Sequence, residues 1–203
     1  MKKINFKDII LFEDDNYIVV NKPPYISTLE DRTSPINILD IARAYNPDIQ
    51  ICHRLDKETS GALVIAKNSE AYRNIAMQFE ARTVQKVYHA VVDGIHNLEP
   101  VKVSAPILLL GKGKVAVSFG QGKPSETLVR TSQTYKRHTL VECKPLTGRM
   151  HQIRIHMKYL GAPLAGDETY GGKKLLLSQL KKRFNLTKGA EDKPLCERVA
   201  LHA

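Results

Sequence analysis

The chain has 203 residues, 42% of them hydrophobic and 26% charged, a balance that suits a folded protein with its own core and excludes a disordered or fibrous chain. Lys and Arg number 31 against 21 Asp and Glu, a net charge of +10, which favours a polyanionic partner such as nucleic acid. Cys52, Cys143 and Cys196 lie far apart without CxxC spacing, so neither a disulfide framework nor a zinc site is expected and the thiols suit a reducing cytosol.

The N-terminus, Met1 to Asp8, carries charges where a secretory signal needs an apolar run, and no stretch reaches the length of a membrane span, so a cytoplasmic protein is expected. Ile9-Ile10-Leu11-Phe12 and Tyr17-Ile18-Val19-Val20 flank the acidic turn Glu13-Asp14-Asp15-Asn16. This pattern predicts two short strands joined by a turn and stopped at Pro23-Pro24, because proline does not continue a central strand. Residues 34–45 predict a helix with Ser34 as N-cap, Pro35 in the first turn, and Ile38, Ile41, Ala42 and Tyr45 at helical spacing.

The stretch His53-Arg54-Leu55-Asp56-Lys57-Glu58-Thr59-Ser60-Gly61 then gathers ionisable and small polar side chains directly before the apolar run Ala62 to Ala66, which reads as a buried strand. A loop feeding such a strand sits on a rigid support. Asp56, flanked by Arg54 and Lys57, is either a turn cap paired with a surface cation or a reactive carboxylate. Tyr72, Ile75, Ala76 and Phe79, at i, i+3, i+4 and i+7, predict a second helix with one buried face.

Val84 to Gly94 reads as a strand in which Tyr88 shares a face with Ala90 and Val92, the pattern of a core tyrosine. Residues 101–135 are β-rich and broken by two turns, Gly111-Lys112-Gly113-Lys114 and Gly120-Gln121-Gly122-Lys123-Pro124. They form either a solvated hairpin or a basic finger on RNA phosphates, and Pro124 after Gly122-Lys123 breaks the phosphate-loop pattern. Thr139 to Cys143 predicts a strand, and Leu146-Thr147-Gly148 a turn into a helix over residues 149–160. On that helix Ile153, Met157 and Leu160 share one face and His151, Arg154 and Lys158 another, so the second face is either a solvated basic stripe or a contact for RNA or a carboxylate. His151 and His156 miss the spacing of a helical metal pair, and no metal is expected. The tail predicts a helix from Lys173 to Phe184 holding the basic cluster Lys181-Lys182-Arg183.

Three segments carry a resemblance. ILFEDDNYIVVNKPP resembles the opening of the catalytic domain of the RluA-type pseudouridine synthases, and HRLDKETSGALVIAKN and TGRMHQIRIHMKYLGAPLAGDETYGG resemble that family's two long signatures. The resemblance spans residues 9–203 and implies an α+β pseudouridine synthase catalytic fold, a largely antiparallel mixed sheet flanked by helices and loops around a central cleft. It implies a single catalytic domain over residues 1–203, with no accessory RNA-binding domain before it and an end, Arg198 to Ala203, that stops short of the family pattern. The implied reaction converts a uridine in ribosomal or transfer RNA, flipped out of a structured stem-loop, to pseudouridine; a monomer without a cofactor is expected to suffice.

By the same resemblance Asp56 is the catalytic aspartate, and Tyr88, in the KxYxA segment Lys86 to Ala90, packs in the active site and stacks on the target base. Arg154, of the HQIR segment, forms an ion pair with the catalytic aspartate, and Arg54 fills the space that the flipped nucleotide vacates. His53, Thr59, Gly148, Arg149, His151 and Gln152 are further substrate-binding positions. An aspartate suits the reaction either as a nucleophile at the sugar carbon or as a charge that stabilises it. A non-catalytic RNA-binding or RNA-folding protein on the same scaffold is the alternative, and the joint presence of Asp56, Tyr88 and Arg154 favours the enzyme. A glycoside-type hydrolase needs a second carboxylate opposite Asp56; Glu58 and Asp167 are available, neither marked by spacing.

Overall fold

Strands β1 (Ile10–Glu13) and β2 (Tyr17–Lys22) run antiparallel where the sequence predicts them, about a turn in which the Asp14 carboxylate accepts the amides of Asn16 at 2.8 Å and Tyr17 at 2.6 Å. The computed structural model describes residues 4–31, 36–111, 113–187 and 189–203, and the chain divides into one unit of Met1–Gln85 with His202–Ala203 and a second of Lys86–Leu201.

In the first unit α1 (Ile38–Tyr45), β3 (Gln50–Ile51), β4 (Gly61–Ala66) and α2 (Ser69–Glu80) follow, and the antiparallel sheet has the order β1-β2-β4-β3. The expected cap Ser34 and the neighbouring Pro35 lie outside the described residues. The cap of α1 is Asn37, whose side-chain oxygen accepts the Asp40 amide at 2.9 Å. On β4, Leu63 and Ile65 are fully buried while Ala62 is exposed, so the expected apolar run is a strand with one wholly buried face. On β2 the inward positions are Ile18, Val20 and Lys22, and they lie opposite Ile65, Leu63 and Gly61. The two-residue period thus carries an ammonium into the position where a third aliphatic side chain would fall.

The face expected for α2 needs correction. Only Ala71 is buried, Ile75, Ala76 and Phe79 are half-buried, and Tyr72 is exposed, so the contact stripe is turned toward Ala71. Tyr72 satisfies the helical period equally well, and the choice between neighbouring positions is made by what the sheet offers.

The second unit holds β5 (Tyr88–Asp93), β6 (Val101–Ser104), β7 (Ile107–Leu110), β8 (Lys114–Val117), β9 (Glu126–Thr134), β10 (His138–Pro145), α3 (Gln152–Tyr159), α4 (Leu177–Leu180) and β11 (Leu201–His202), whose last residue returns to the first unit. Its main sheet has the order β11-β5-β10-β9-β6, and β7 and β8 form a separate antiparallel hairpin. The main core joins Val92, Val129, Val141, Cys143, Met157 and Leu164, and burying each such aliphatic side chain contributes about 1.5–3 kcal/mol. Strand β5 begins at Tyr88 rather than Val84, and Tyr88 packs half-buried on this core. The first Gly/Lys turn closes the β7–β8 hairpin, with Lys112 outside the described residues. The second brings Lys123 back to pair with Ile107, its amide donating to the Ile107 carbonyl at 2.8 Å.

The two-faced helix expected over 149–160 is also corrected. His151, at φ 50° and ψ 25°, stops α3 on its N-terminal side, and every residue from Gln152 to Met157 is buried. The reason is that α3 is covered twice. Ile153 and Met157 join the main core, while Ile155 packs with Ile107, Val115 and Tyr170 in a second cluster under the hairpin. The tail helix shrinks from the expected Lys173–Phe184 to α4, none of whose residues is fully buried and which lacks a side-chain cap; a short helix without a buried face has little to hold it.

His156 is fully buried, with Nε2 2.9 Å from the Ala105 carbonyl and Nδ1 2.8 Å from the Thr127 hydroxyl. A neutral ring fits, with Nε2–H donating and Nδ1 accepting. Burial pushes its pKa below the ordinary 6.5, against a smaller opposing effect of the bond to Ala105. An unfolded imidazole gains its proton below about pH 6.5 while the folded one resists, so this contribution to stability is complete above that pH and declines as pH falls. Thermal melts of the wild type and His156→Gln between about pH 7.5 and pH 5 are expected to converge toward the acid end; a constant gap is the contrary result.

Candidate active site

The Asp56 loop is gripped from both sides by residues 22–28. The Thr28 hydroxyl donates to the Leu55 carbonyl at 2.9 Å and accepts the Leu55 amide at 3.2 Å. On the other side the Lys57 carbonyl accepts the Tyr25 amide at 2.8 Å and the Lys22 ammonium at 3.3 Å. Lys22 Nζ donates as well to the carbonyls of Ile26 at 2.9 Å and Pro23 at 3.0 Å. The residues on either side of residue 56 are therefore held, and the half-buried Asp56 has its own carbonyl accepting the Thr59 amide at 3.0 Å in a tight turn.

A fully buried ammonium is costly unless all its hydrogens are engaged, and Lys22 meets that condition with three carbonyls. Lys22→Met nearly keeps the length and leaves these carbonyls facing an apolar methyl group. The expected loss is about 2–3 kcal/mol, read as a Tm lower by about 4–12 °C; an unchanged Tm contradicts the clamp. Tyr25 stands in the same clamp at φ 67°, a left-handed conformation that costs a non-glycine residue about 1–2 kcal/mol.

The remaining expected residues of this loop differ in what holds them. His53 is half-buried; its Nε2 accepts the Val64 amide at 3.0 Å, and its ring lies 4.7 Å from that of Phe79, so it tethers the loop to β4. Arg54 is exposed and Thr59 is buried. Gly61 has φ +119°, and a Cβ there would overlap the Ala203 backbone, so a glycine ends the loop for steric reasons.

In the second unit the expected residues gather in the turn before α3 and its first turn. Gln152, 4% exposed, spends its whole amide on the protein. Its Oε1 accepts the Thr147 hydroxyl at 2.7 Å and the Arg149 amide at 2.9 Å, and its Nε2 donates to the Glu126 carbonyl at 2.8 Å and the Thr127 hydroxyl at 3.0 Å. Lys86 Nζ donates to the Thr147 carbonyl at 3.2 Å, which ties the approach to β5, and so to Tyr88, to the Thr147-Gly148 turn. Arg149 is half-buried, its Nε 3.3 Å from the Pro124 carbonyl.

Arg154, 5% exposed, makes a paired contact with Asp167, 1% exposed, Nε and Nη2 each donating to one carboxylate oxygen at 2.7 Å. Its guanidinium also sits 5.0 Å from the centre of the Tyr170 ring. The Tyr170 hydroxyl accepts the Val115 amide at 3.1 Å and lies 2.8 Å from His151 Nδ1. Asp167, Arg154, Tyr170 and His151 thus form one polar chain inside the second unit. Asp167, considered from the sequence only as a second hydrolytic carboxylate, has both oxygens engaged by the guanidinium.

No sequence signal paired residues 154 and 167, which lie on a helix and a following loop; inward parity on β2 is the signal that could have found Lys22. Burial pushes the Cys143 thiol up to about 12 and the Cys52 thiol up to about 11, so neither offers a thiolate nucleophile at neutral pH. Among the described residues no group of His, Cys, Asp and Glu is arranged to hold a metal ion, and no helix is long and apolar enough to cross a membrane.

Comparison with known proteins adds the family. The RNA pseudouridylate synthase family matches residues 16–159. The ribosomal large subunit pseudouridine synthase C of Escherichia coli (strain K12) is 39% identical over 170 residues, 81% of this chain and 53% of that protein. Its namesake in Vibrio vulnificus (strain CMCP6) is 36% identical over 176 residues, 85% of this chain and 56% of that protein. The chain thus spans about half the length of these curated relatives. The solved structure of human RNA pseudouridylate synthase domain containing 1 is similar with a TM-score of 0.71 and 29% identity, over 95% of this chain and 75% of that one. Human RNA pseudouridylate synthase domain containing 4, at TM-score 0.73 and 24% identity over 98% of this chain and 83% of that one, shares the fold.

Proposed function

Since the chain belongs to the RNA pseudouridylate synthase family, we propose that it isomerises a uridine of large-subunit ribosomal RNA to pseudouridine in the cytoplasm, with Asp56 as the catalytic residue. The observation that carries this reading is the clamp on the Asp56 loop, in which Thr28 holds residue 55 and Lys22 and Tyr25 hold residue 57. A carboxylate that must meet a sugar carbon in one orientation gains from a backbone fixed before substrate arrives. The family match runs across residue 85, which supports treating the two units as one catalytic domain. The ribosomal substrate comes from the names of the curated relatives.

In this reaction the bond from N1 of uracil to the sugar breaks, the base turns, and a bond from C5 to the same sugar carbon forms as the C5 proton leaves and N1 takes up a proton. Atoms and electrons balance within the nucleotide. Asp56 acts at the sugar carbon, and Tyr88 stacks on the uracil and offers its hydroxyl for proton movement. Arg154 supplies positive charge beside the developing negative charge. Arg54, whose side chain is exposed, fills the gap left in the RNA stack, as a planar guanidinium does well. Gln152 is given a positioning role, because its amide is already occupied.

The test is incubation of the purified protein with large-subunit ribosomal RNA transcribed in vitro, followed by pseudouridine mapping at nucleotide resolution. One or a few converted uridines are expected. Conversion of none, in that RNA or in total transfer RNA, overturns the reading.

A further inference from the structure

Between the β7–β8 hairpin and the last turn of α3 lies a cavity of about 400 Å³, at the small end of the range that small-molecule sites occupy. Its floor is apolar and buried, formed by Val115, Ile155 and Tyr170. The floor is also fixed, because the Tyr170 hydroxyl accepts the Val115 amide at 3.1 Å and so ties the hairpin to the segment that follows α3. The rim is of another kind. Leu110 and Tyr159 are exposed there, and the Tyr159 ring lies 6.3 Å from that of Phe119, which is 69% exposed. A single exposed apolar residue is ordinary, but a preformed apolar hollow edged by several of them marks a binding surface.

Charge indicates the occupant. Lys114 and Lys158, both exposed, belong to the lining, and no carboxylate shares it. Other exposed lysines are matched with acids, Lys102 with Glu126 at 2.8 Å and Lys144 with Glu142 at 3.1 Å, whereas Lys114 and Lys158 form no ion pair among the described residues. An apolar hollow with an aromatic lip and two cations suits a nucleotide, whose base takes the apolar surface and whose phosphates take the ammonium groups. An apolar protein side chain would use the floor and gain nothing from the lysines. Asp56, Tyr88, Arg54 and Arg154 are all absent from the lining, so the nucleotide is not the converted uridine. We propose that the cavity seats a second, unpaired nucleotide of the substrate RNA, its base against Tyr159 and its phosphates between Lys114 and Lys158. This rests on the synthase reading for the RNA, and extends it to a site that selects RNA with another base out of its stack.

The chain contains no tryptophan, so Tyr159→Trp puts a single fluorescent indole at the rim, where a stacked base quenches it. Titration with oligoadenylate or oligouridylate, strands without internal pairs, is expected to quench that emission. Tyr159→Ala is expected to raise Kd for fluorescein-labelled forms of these strands, and KM for large-subunit ribosomal RNA transcribed in vitro, by about 5- to 150-fold, the loss of one stack. Its Tm stays within about 2 °C of wild type, since the side chain is at the surface. Should this variant melt early, the quench alone decides. Lys114→Ala/Lys158→Ala is expected to flatten the slope of log Kd against log salt by about 1.4, as two single-strand phosphates require. An indole that neither strand quenches overturns the proposal, as does a wild-type Kd for Tyr159→Ala or a wild-type salt slope for the lysine variant. An apolar protein segment as the true occupant gives these contrary results. If the wild type converts no uridine while quench, Kd and slope behave as expected, the synthase reading falls and the nucleotide site stands. Conversion by the wild type together with an unquenched indole leaves the synthase and removes the site.

Discussion

Asp56→Asn is expected to abolish pseudouridine formation, by three orders of magnitude or more, while leaving the fold and RNA affinity in place. Asparagine matches the shape of aspartate and removes only the negative charge that the sugar carbon would meet. The loop keeps its form, because its fixed points are backbone atoms of residues 55 and 57 and the Asp56 carbonyl. Asparagine keeps the size of the side chain and its accepting oxygen, so these backbone bonds stay in place. Tm is therefore expected within about 2 °C of wild type, and Kd for ribosomal RNA within a few-fold. Conversion at a rate near wild type removes Asp56 from the chemistry. Loss of activity together with a large fall in Tm would mean that the carboxylate holds the loop, and the comparison with Lys22→Met, which loosens the loop and keeps the carboxylate, separates the two effects.

The contrast between these two variants follows from what pattern in a sequence can carry. Strands β2 and β4 were legible because alternation and an apolar run report burial one residue at a time, and the Asp56 loop because it feeds β4. Lys22 was legible in principle through its parity with Ile18 and Val20. Lysine next to proline has the pattern of a surface strand end, and what buries it is three carbonyls brought from residues 23, 26 and 57. Helix α3 failed for the complementary reason. Gln152, Arg154 and His156 are polar by type, yet each is buried by partners, the Thr147 turn, Asp167, and Ala105 with Thr127, that no helical period encodes. Periodicity predicts which faces are apolar, and it misjudges burial where polar side chains are fully hydrogen-bonded. The same limit applies to Asn37, a cap three residues past the expected Ser34, and to Tyr72, one position from the buried Ala71.

Arg154→Ala is expected to cost about 3–5 kcal/mol of stability, lowering Tm by about 6–20 °C, whatever part Arg154 takes in the chemistry. The substitution leaves Asp167, 1% exposed, with its main counter-charge removed. Arg154→Lys restores a charge but not the two parallel bonds, so only part of the loss is recovered. Asp167→Ala removes the two-oxygen acceptor from the guanidinium, but its contact with the Tyr170 ring, 5.0 Å away, remains as partial compensation, so its cost is the smaller of the two. The double variant Arg154→Met/Asp167→Leu buries no charge and is expected to regain most of the stability, giving a coupling of about 2–3 kcal/mol in a double-mutant cycle. Additive losses in that cycle contradict the pair. Activity of Arg154→Ala by itself says little, since a destabilised second unit loses function for any reason. The informative molecule is the double variant: folded and inactive, it shows that the guanidinium serves the reaction; folded and active, it shows that Arg154 serves the fold alone.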